Sequence, residues 1–185
     1  VHKSFVSRGL GFFRFRLASF WQGLKVRGVD VVYGTSPPLF QAPSAWALAF
    51  LKRVPFVFEV RDLWPYFAVA VGVLTSKPLI WLAEVVEWFL YRHADLMVVN
   101  SPGFVEHVQE RGAGRVEMIP NGVDPSMFLP DERSTARRRK WGFDDRFLVL
   151  YAGAHGLSND LGVLLDAAEK LKERRDIGFV LLGAG

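Results

Sequence analysis

The stretch FVFEVRDLWP, Phe56 to Pro65, constrains the fold of this chain more than any other. It opens as a strand. Phe56, Val57, Phe58 and Val60 are aromatic or β-branched, the pattern of a strand buried on both faces. Arg61 and Asp62 follow with no turn glycine between, and Trp64-Pro65 stops the strand. Charged groups at the carboxyl end of a buried parallel strand stand where open α/β sheets bind ligands. An ion pair between the two, or with a neighbouring helix end, is the alternative.

The flanking sequence repeats the same alternation. Val31 to Gly34 reads as a strand, with Thr35-Ser36-Pro37-Pro38 as the loop at its carboxyl end. An Ala-rich helix is predicted from Gln41 to Leu51, ended by Lys52-Arg53, which suits the helix dipole. Tyr66 to Gly72 reads as a short helix. Pro78 opens a longer one to His93, with proline in the first turn. Its Trp81, Val85, Trp88 and Phe89 are assigned to the core, and Glu84 and Glu87 to its wetter side. Asp95 to Val99 is a strand. Ser101 is the expected N-cap and Pro102 the first residue of a helix to Arg111-Gly112. Val116 to Ile119 is a strand closed by the turn Pro120-Asn121-Gly122. Strands alternating with helices in this way form a parallel α/β sheet.

From Asp124 the pattern breaks. Pro125, Pro130 and the run Arg133 to Lys140 form a polar, basic connection, read as a solvated helix. A second α/β pattern then begins: a strand Phe147 to Ala152, a loop from Gly153, a helix from Asp160 to Arg175 and a strand from Phe179 to Leu182. The expected organisation is a first domain over residues 1–128, a linker over 129–145 and the start of a second domain over 146–185. Val1 is no start methionine, and the last strand runs into glycines that a helix would normally follow. The sequence therefore reads as an internal piece of a longer protein, lacking the start of its first domain.

Half of the 185 residues are hydrophobic, with 16 Phe and 6 Trp, so the chain is not disordered. With no Cys, disulfides and thiolate metal sites are excluded. The uncharged run Val31 to Leu51 is broken by Pro37, Pro38 and Pro43 and is read as strand, turn and helix rather than a membrane span. The first 29 residues hold six Lys or Arg and no acid. Within them Phe13, Leu17, Phe20, Trp21 and Leu24 share a helical stripe, flanked by Arg14 and Lys25 on one side and Arg16 and Arg27 on the other. We read the stripe as core with arginines reaching to water. The opposite face, with Phe12, Phe15 and Val26, reads as a contact for an anionic membrane surface. The basic residues fit no nucleic-acid recognition motif, and no nucleic-acid partner is expected.

Several segments together resemble one family. FEVRDLWP, IPNGVDPSMF (Ile119 to Phe128), LVLYAGAHGLSNDLGVLLDAA (Leu148 to Ala168) and FVLLGAG stand in the order seen in family 4 glycosyltransferases. The chain is most similar to the branch that builds bacterial O-antigen, capsule and exopolysaccharide. The resemblance implies a GT-B fold: two Rossmann-like parallel-sheet domains facing a cleft. It implies a retaining enzyme that moves a sugar, expected to be N-acetylated, from a nucleotide diphosphate donor, expected to be UDP-linked. The acceptor would be a polyprenyl-diphosphate-linked saccharide, at the inner face of the cytoplasmic membrane. No metal and no further cofactor are expected.

The same resemblance suggests the site residues. Asp62, with Arg61, stands at the catalytic acceptor side. Gly153, Gly156, Ser158 and Asn159 stand where a glycine loop and a helix start would meet the donor diphosphate. An ordinary strand-to-helix turn uses the same glycines. Asn121 and Gly122 stand at the exit of the first domain, beside the cleft. The sequence departs from the family in two places. Ala154 and Asn159 occupy positions where many relatives place Arg and Lys on phosphate, and Arg61 replaces a His. Arg cannot act as a base at neutral pH, whereas Asp62 can orient or deprotonate a hydroxyl. The family's paired glutamates would lie beyond Gly185, so these residues alone are expected to be inactive. A nucleotide-sugar 2-epimerase of the same fold and a non-catalytic binding member are the competing readings.

Overall fold

The computed structural model describes residues 5–127 and 135–184. It divides into two compact units, Val1–Gly122 and Val123–Gly185. The division falls ahead of the expected boundary at 128, and the basic helix groups with the second unit.

The first unit runs α1 (Phe5–Lys25), β1 (Val32–Ser36), a 3-10 turn (Leu39–Gln41), α2 (Ala42–Lys52), β2 (Phe56–Val60), α3 (Tyr66–Ala70), α4 (Lys77–His93), β3 (Leu96–Val99), α5 (Pro102–Glu110) and β4 (Val116–Met118). Its sheet has the order β1-β2-β3-β4, every pair parallel. Strands in chain order joined by crossovers of one hand place α2, α4 and α5 on one face. There Phe56, Phe58 and Val60 of β2 and Met97 and Val99 of β3 form one core with Ala42, Ala49, Ala83, Leu90 and Val108 of the helices. Gly34 lets α2 close on the sheet: a Cβ there would lie 3.1 Å from both Ala45 Cβ and the Phe56 ring. The expected β1 loop starts later than the sequence suggested. Thr35 and Ser36 extend the strand, and Ser36 pairs with Val60.

Two helices turn differently from the sequence expectation. On α4, Trp81 is 65% exposed, Trp88 47% and Val85 41%, whereas Glu87 is buried. Only Phe89 of the assigned core residues packs inward, against the edge of the core. The buried residues Ala83, Glu87, Leu90 and Tyr91 lie on one face at helical spacing. Glu87 goes inside because partners wait for it. Tyr91 donates its hydroxyl hydrogen to Glu87 Oε1 at 2.9 Å, and Nε of Arg111, the residue that caps α5 at its C-terminus, donates to Oε2 at 3.0 Å. His107 Nε2 lies 3.5 Å from Oε1, and Arg111 also reaches His107 Nδ1 at 3.3 Å. A buried carboxylate satisfied in this way joins α4 to α5.

Burial first, then the Glu87 charge and hydrogen bond, push the Tyr91 phenol far above its usual 10, against an opposing pull from Arg111. A folded-state pKa above the unfolded one means the native state holds the proton longer. Its contribution is complete below pH ~10 and is lost as pH rises beyond that value. We expect the urea midpoint to fall progressively above pH ~10, where the unfolded phenol ionises and the folded one does not.

On α1, Phe13, Leu17 and Trp21 of the expected core stripe are exposed, and Phe20 and Leu24 are half-buried. Among the described residues the helix packs chiefly on α2, a narrower partner than a sheet. Leu48 sits over Gly23, where a Cβ would come within 2.6 Å of its methyl. Arg16 Nε donates to Ser44 Oγ at 2.8 Å, and Lys52 Nζ donates to the Val26 carbonyl at 2.7 Å and the Leu24 carbonyl at 3.3 Å. Arg27 lies past the helix end. Among the described residues, no helix is long and apolar enough to cross a membrane.

The second unit contains α6 (Thr135–Lys140), β5 (Phe147–Ala152), a 3-10 turn (Leu157–Asn159), α7 (Gly162–Lys170) and β6 (Ile177–Leu182). β5 and β6 pair in parallel from Phe147↔Ile177 to Ala152↔Leu182. The Phe143 ring fills the space a side chain at Gly178 would need. α7 is shorter than the expected helix to Arg175, because β6 begins at Ile177 and residues 171–176 must turn the chain. That turn is tied by Arg174, whose guanidinium donates to both Asp176 oxygens at 2.8 and 2.7 Å. These bonds hold the Asp176 carboxyl down to about 2.

Candidate functional site

The register lines up Ser36, Val60, Val99 and Met118 in one row across the first unit's sheet. The loops that follow them therefore share its carboxyl edge, where α/β sheets hold ligands. Arg61 and Asp62 sit there, both exposed. Neither forms an ion pair within the described residues, so the pairing alternative is not what the structure shows.

The backbone under these two side chains is tied from both sides. Arg61 N–H donates to the Ser36 carbonyl of β1 at 3.0 Å. From the β3 side, Asn100 Nδ2 donates to the Arg61 carbonyl at 3.3 Å. Trp64 N–H closes the turn on the Asp62 carbonyl at 2.9 Å, and Phe67 N–H reaches the Leu63 carbonyl at 2.7 Å. Leu63 and Trp64 pack against the core, with the Trp64 ring edge-on to Phe40 at 5.9 Å. The loop is thus anchored by its apolar residues, and its two charged side chains are left to water. Side chains held this way can meet a substrate without first rearranging the backbone.

Asn100 was not among the residues singled out from sequence. Its Oδ1 is buried with no hydrogen-bond partner among the described residues. Being buried, that oxygen does not face a ligand; Asn100 acts here through Nδ2, which holds the Arg61 carbonyl. Its position between a strand end and a proline-started helix is the signal that points to it. α5 opens at the same edge. Ser101 stands at its N-cap with extended backbone but makes no side-chain cap bond, contrary to expectation. In the first turn Pro102 has no N–H and Phe104 N–H donates to the Ser101 carbonyl at 3.1 Å, so few amides are left for an anion. Asn121 and Gly122 follow β4 as the last residues of the unit, exposed, after Ile119 N–H donates to the Val99 carbonyl at 2.8 Å.

In the second unit, Gly153, Gly156, Ser158 and Asn159 lie in the loop after β5. Gly153 N–H is already committed to the Leu182 carbonyl at 2.9 Å, and His155 N–H to the Ala184 carbonyl at 3.0 Å. The two strand-end loops approach so closely that a side chain at Gly183 would collide with the Gly153 carbonyl. Asn159 Nδ2 and the Tyr151 hydroxyl both donate to the Ala154 carbonyl at 2.8 Å, so Asn159 shapes the loop. Gly156 caps the 3-10 turn, Asp160 takes a left-handed φ of 40°, and α7 starts only at Gly162. The side chain of Ser158 lies outside the described residues. The amides of Ala154, Gly156 and Leu157 make no backbone hydrogen bond among the described residues. They, rather than Gly153, are the loop's available anion donors. His155, exposed beside them, also escaped the sequence reading. Among the described residues, no group of three or more His, Asp or Glu is placed to hold a metal ion.

Comparison with known proteins agrees with this architecture. A GDP-mannose-dependent alpha-mannosyltransferase of Mycobacterium tuberculosis is 31% identical over 126 residues, which is 67% of this chain and 32% of the relative. The crystal structure of Anabaena Alr3699/HepE in complex with UDP and glucose superposes with a TM-score of 0.68 at 16% identity, over 93% of this chain and 43% of that one. Sucrose-phosphate synthase of Thermosynechococcus elongatus gives a TM-score of 0.57 at 15% identity, over 91% of this chain and 49% of that one. The chain thus spans less than half the length of each of these proteins, and the structural likenesses show a shared GT-B fold. Residues 3–122, nearly the whole first unit, match the Glycosyl transferase 4-like domain, and the chain belongs to that family.

Proposed function

We propose that the protein transfers a sugar from a nucleotide diphosphate donor to a lipid-linked saccharide in cell-surface polysaccharide synthesis. The carrying observation is the backbone-tethered step Arg61–Asp62, exposed and without an ion pair among the described residues, at the carboxyl edge of the family-matched unit. On this reading the first unit receives the acceptor. Asp62 accepts a hydrogen bond from the acceptor hydroxyl, and Arg61 meets negative charge on the acceptor. The free amides of the Gly153–Asn159 loop serve the donor phosphates. The departing phosphate takes the acceptor proton, as the retaining chemistry of similar enzymes implies.

We read the donor as UDP-linked, with an N-acetylated sugar. The mycobacterial relative's dependence on GDP-mannose supports a second donor reading. The acceptor is read as a polyprenyl-diphosphate-linked saccharide at the inner face of the cytoplasmic membrane. The exposed Phe13, Phe15 and Trp21 of α1, interleaved with exposed Arg14 and Lys25, support a membrane-facing first helix. The test is label transfer by the complete protein from radiolabelled UDP-N-acetylglucosamine or GDP-mannose to lipid-linked saccharide. The expected result is solvent-extractable glycolipid from one donor. Release of a free epimer instead would establish the epimerase reading. No turnover and no donor binding would establish a non-catalytic member.

A further inference from the structure

We infer that the solvent face of α4 is a docking surface for an anionic lipid bilayer. Trp81, Val85 and Trp88, which sequence periodicity sent to the core, form a line directly opposite the buried Ala83–Glu87–Leu90 face. Lys77 begins that line and Arg92 ends it, both exposed. The Arg92 guanidinium lies over the Trp88 ring, 4.8 Å from its centroid. Leu82 flanks the line at 43% exposure, and Glu84 is the acid beside it.

Exposing two indoles on one helix face is costly to a water-facing surface unless something else covers them. Indole rings flanked by cations suit the headgroup layer, where the ring meets acyl chain and the cation meets phosphate. A second copy of this chain fits less well. The sequence carries a net charge of +4 and a pI near 9.6, and both ends of the line are cationic, so like charge would face like charge. α2 packs against both α4 and the basic, aromatic α1, so a second exposed aromatic helix stands in the same unit. The inference rests on exposure and charge, and the proposed lipid acceptor supplies only its use.

The test is partition of the protein onto phosphatidylcholine vesicles with and without phosphatidylglycerol, read by co-sedimentation. The double variant Trp81→Ala/Trp88→Ala should bind the anionic vesicles at least ~10-fold more weakly, while its circular dichroism stays that of the parent. Arg92→Gln should weaken binding and reduce its salt dependence. Brominated lipid should quench fluorescence in the parent and much less in Trp81→Phe/Trp88→Phe. Unchanged partition in the alanine variant would overturn the inference. So would a dimer that dissociates in that variant while vesicle binding is absent in the parent. Loss of glycosyl transfer to lipid with vesicle binding intact would count against the proposed function alone.

Discussion

Replacing Glu87 by Ala should lower the unfolding free energy by about 3 kcal/mol, measured by urea denaturation at neutral pH. Glu87 is 1% exposed and holds Tyr91, Arg111 and His107 at once. Its removal leaves the Tyr91 hydroxyl buried without its acceptor and deprives Arg111 of its counter-ion. Arg111 is 34% exposed, so part of its charge can turn to water, which keeps the loss near the low end for a broken buried pair. Glu87→Gln retains the volume and one acceptor and should lose less. Combining Glu87→Gln with Arg111→Gln should cost less than the sum of the single losses, since each single change already breaks the shared contact. A loss under about 1 kcal/mol for Glu87→Ala would mean that the carboxylate stabilises no more than a surface ion pair does.

Asp62→Asn should lower kcat/KM for transfer by about 100-fold, with the unfolding midpoint unchanged. The two halves of that expectation have separate grounds. Asp62 is exposed and bears no ion pair among the described residues, so its charge does little for the fold. On the proposed reading it orients the acceptor hydroxyl, and an amide there keeps the shape but loses the charge that strengthens the hydrogen bond as the hydroxyl proton departs. The backbone bonds of Arg61 to Ser36 and Asn100 do not depend on the Asp62 side chain, so the loop should keep its place. Steady-state kinetics with saturating donor and varied acceptor check this. A fall confined to KM would make Asp62 a binding residue, and an unchanged rate would remove it from the mechanism.

The alternation of strands and helices was legible in the sequence because each strand is a short β-branched or aromatic run between turn signals. Phe56 to Val60 is the clearest case, and the charged Arg61–Asp62 step after it located the sheet edge. The faces of the outer helices were not legible. On α4 two helical lines compete, one with Trp81, Val85 and Trp88, the other with Ala83, Glu87, Leu90 and Tyr91. Hydrophobicity alone favours the first. The second wins because small Ala83 allows close approach and Glu87 finds His107 and Arg111, partners that lie on a later helix and at its C-terminal cap and that periodicity does not see. α1 failed for a related reason: its stripe was wide enough for a sheet, but it meets α2 along a narrow seam, where Gly23 faces Leu48 and Arg16 reaches Ser44. At the sites, the free amides of Ala154, Gly156 and Leu157 emerged only from hydrogen-bond accounting, which no residue type announces, whereas the place of Asn100 between a strand end and Pro102 was there to be read.

On the proposed reading, acceptors bind at the carboxyl edge of the first unit's sheet. A lipid-linked saccharide carrying a photoreactive group on its terminal sugar tests it most directly, by cross-linking to the complete protein and peptide mapping. Labelling is expected within Arg61–Tyr66 or Asn100–Gly103, suppressed by excess unlabelled acceptor. Suppressible labelling confined to the opposite edge of the sheet, at Arg53–Phe56 or His93–Asp95, would contradict it.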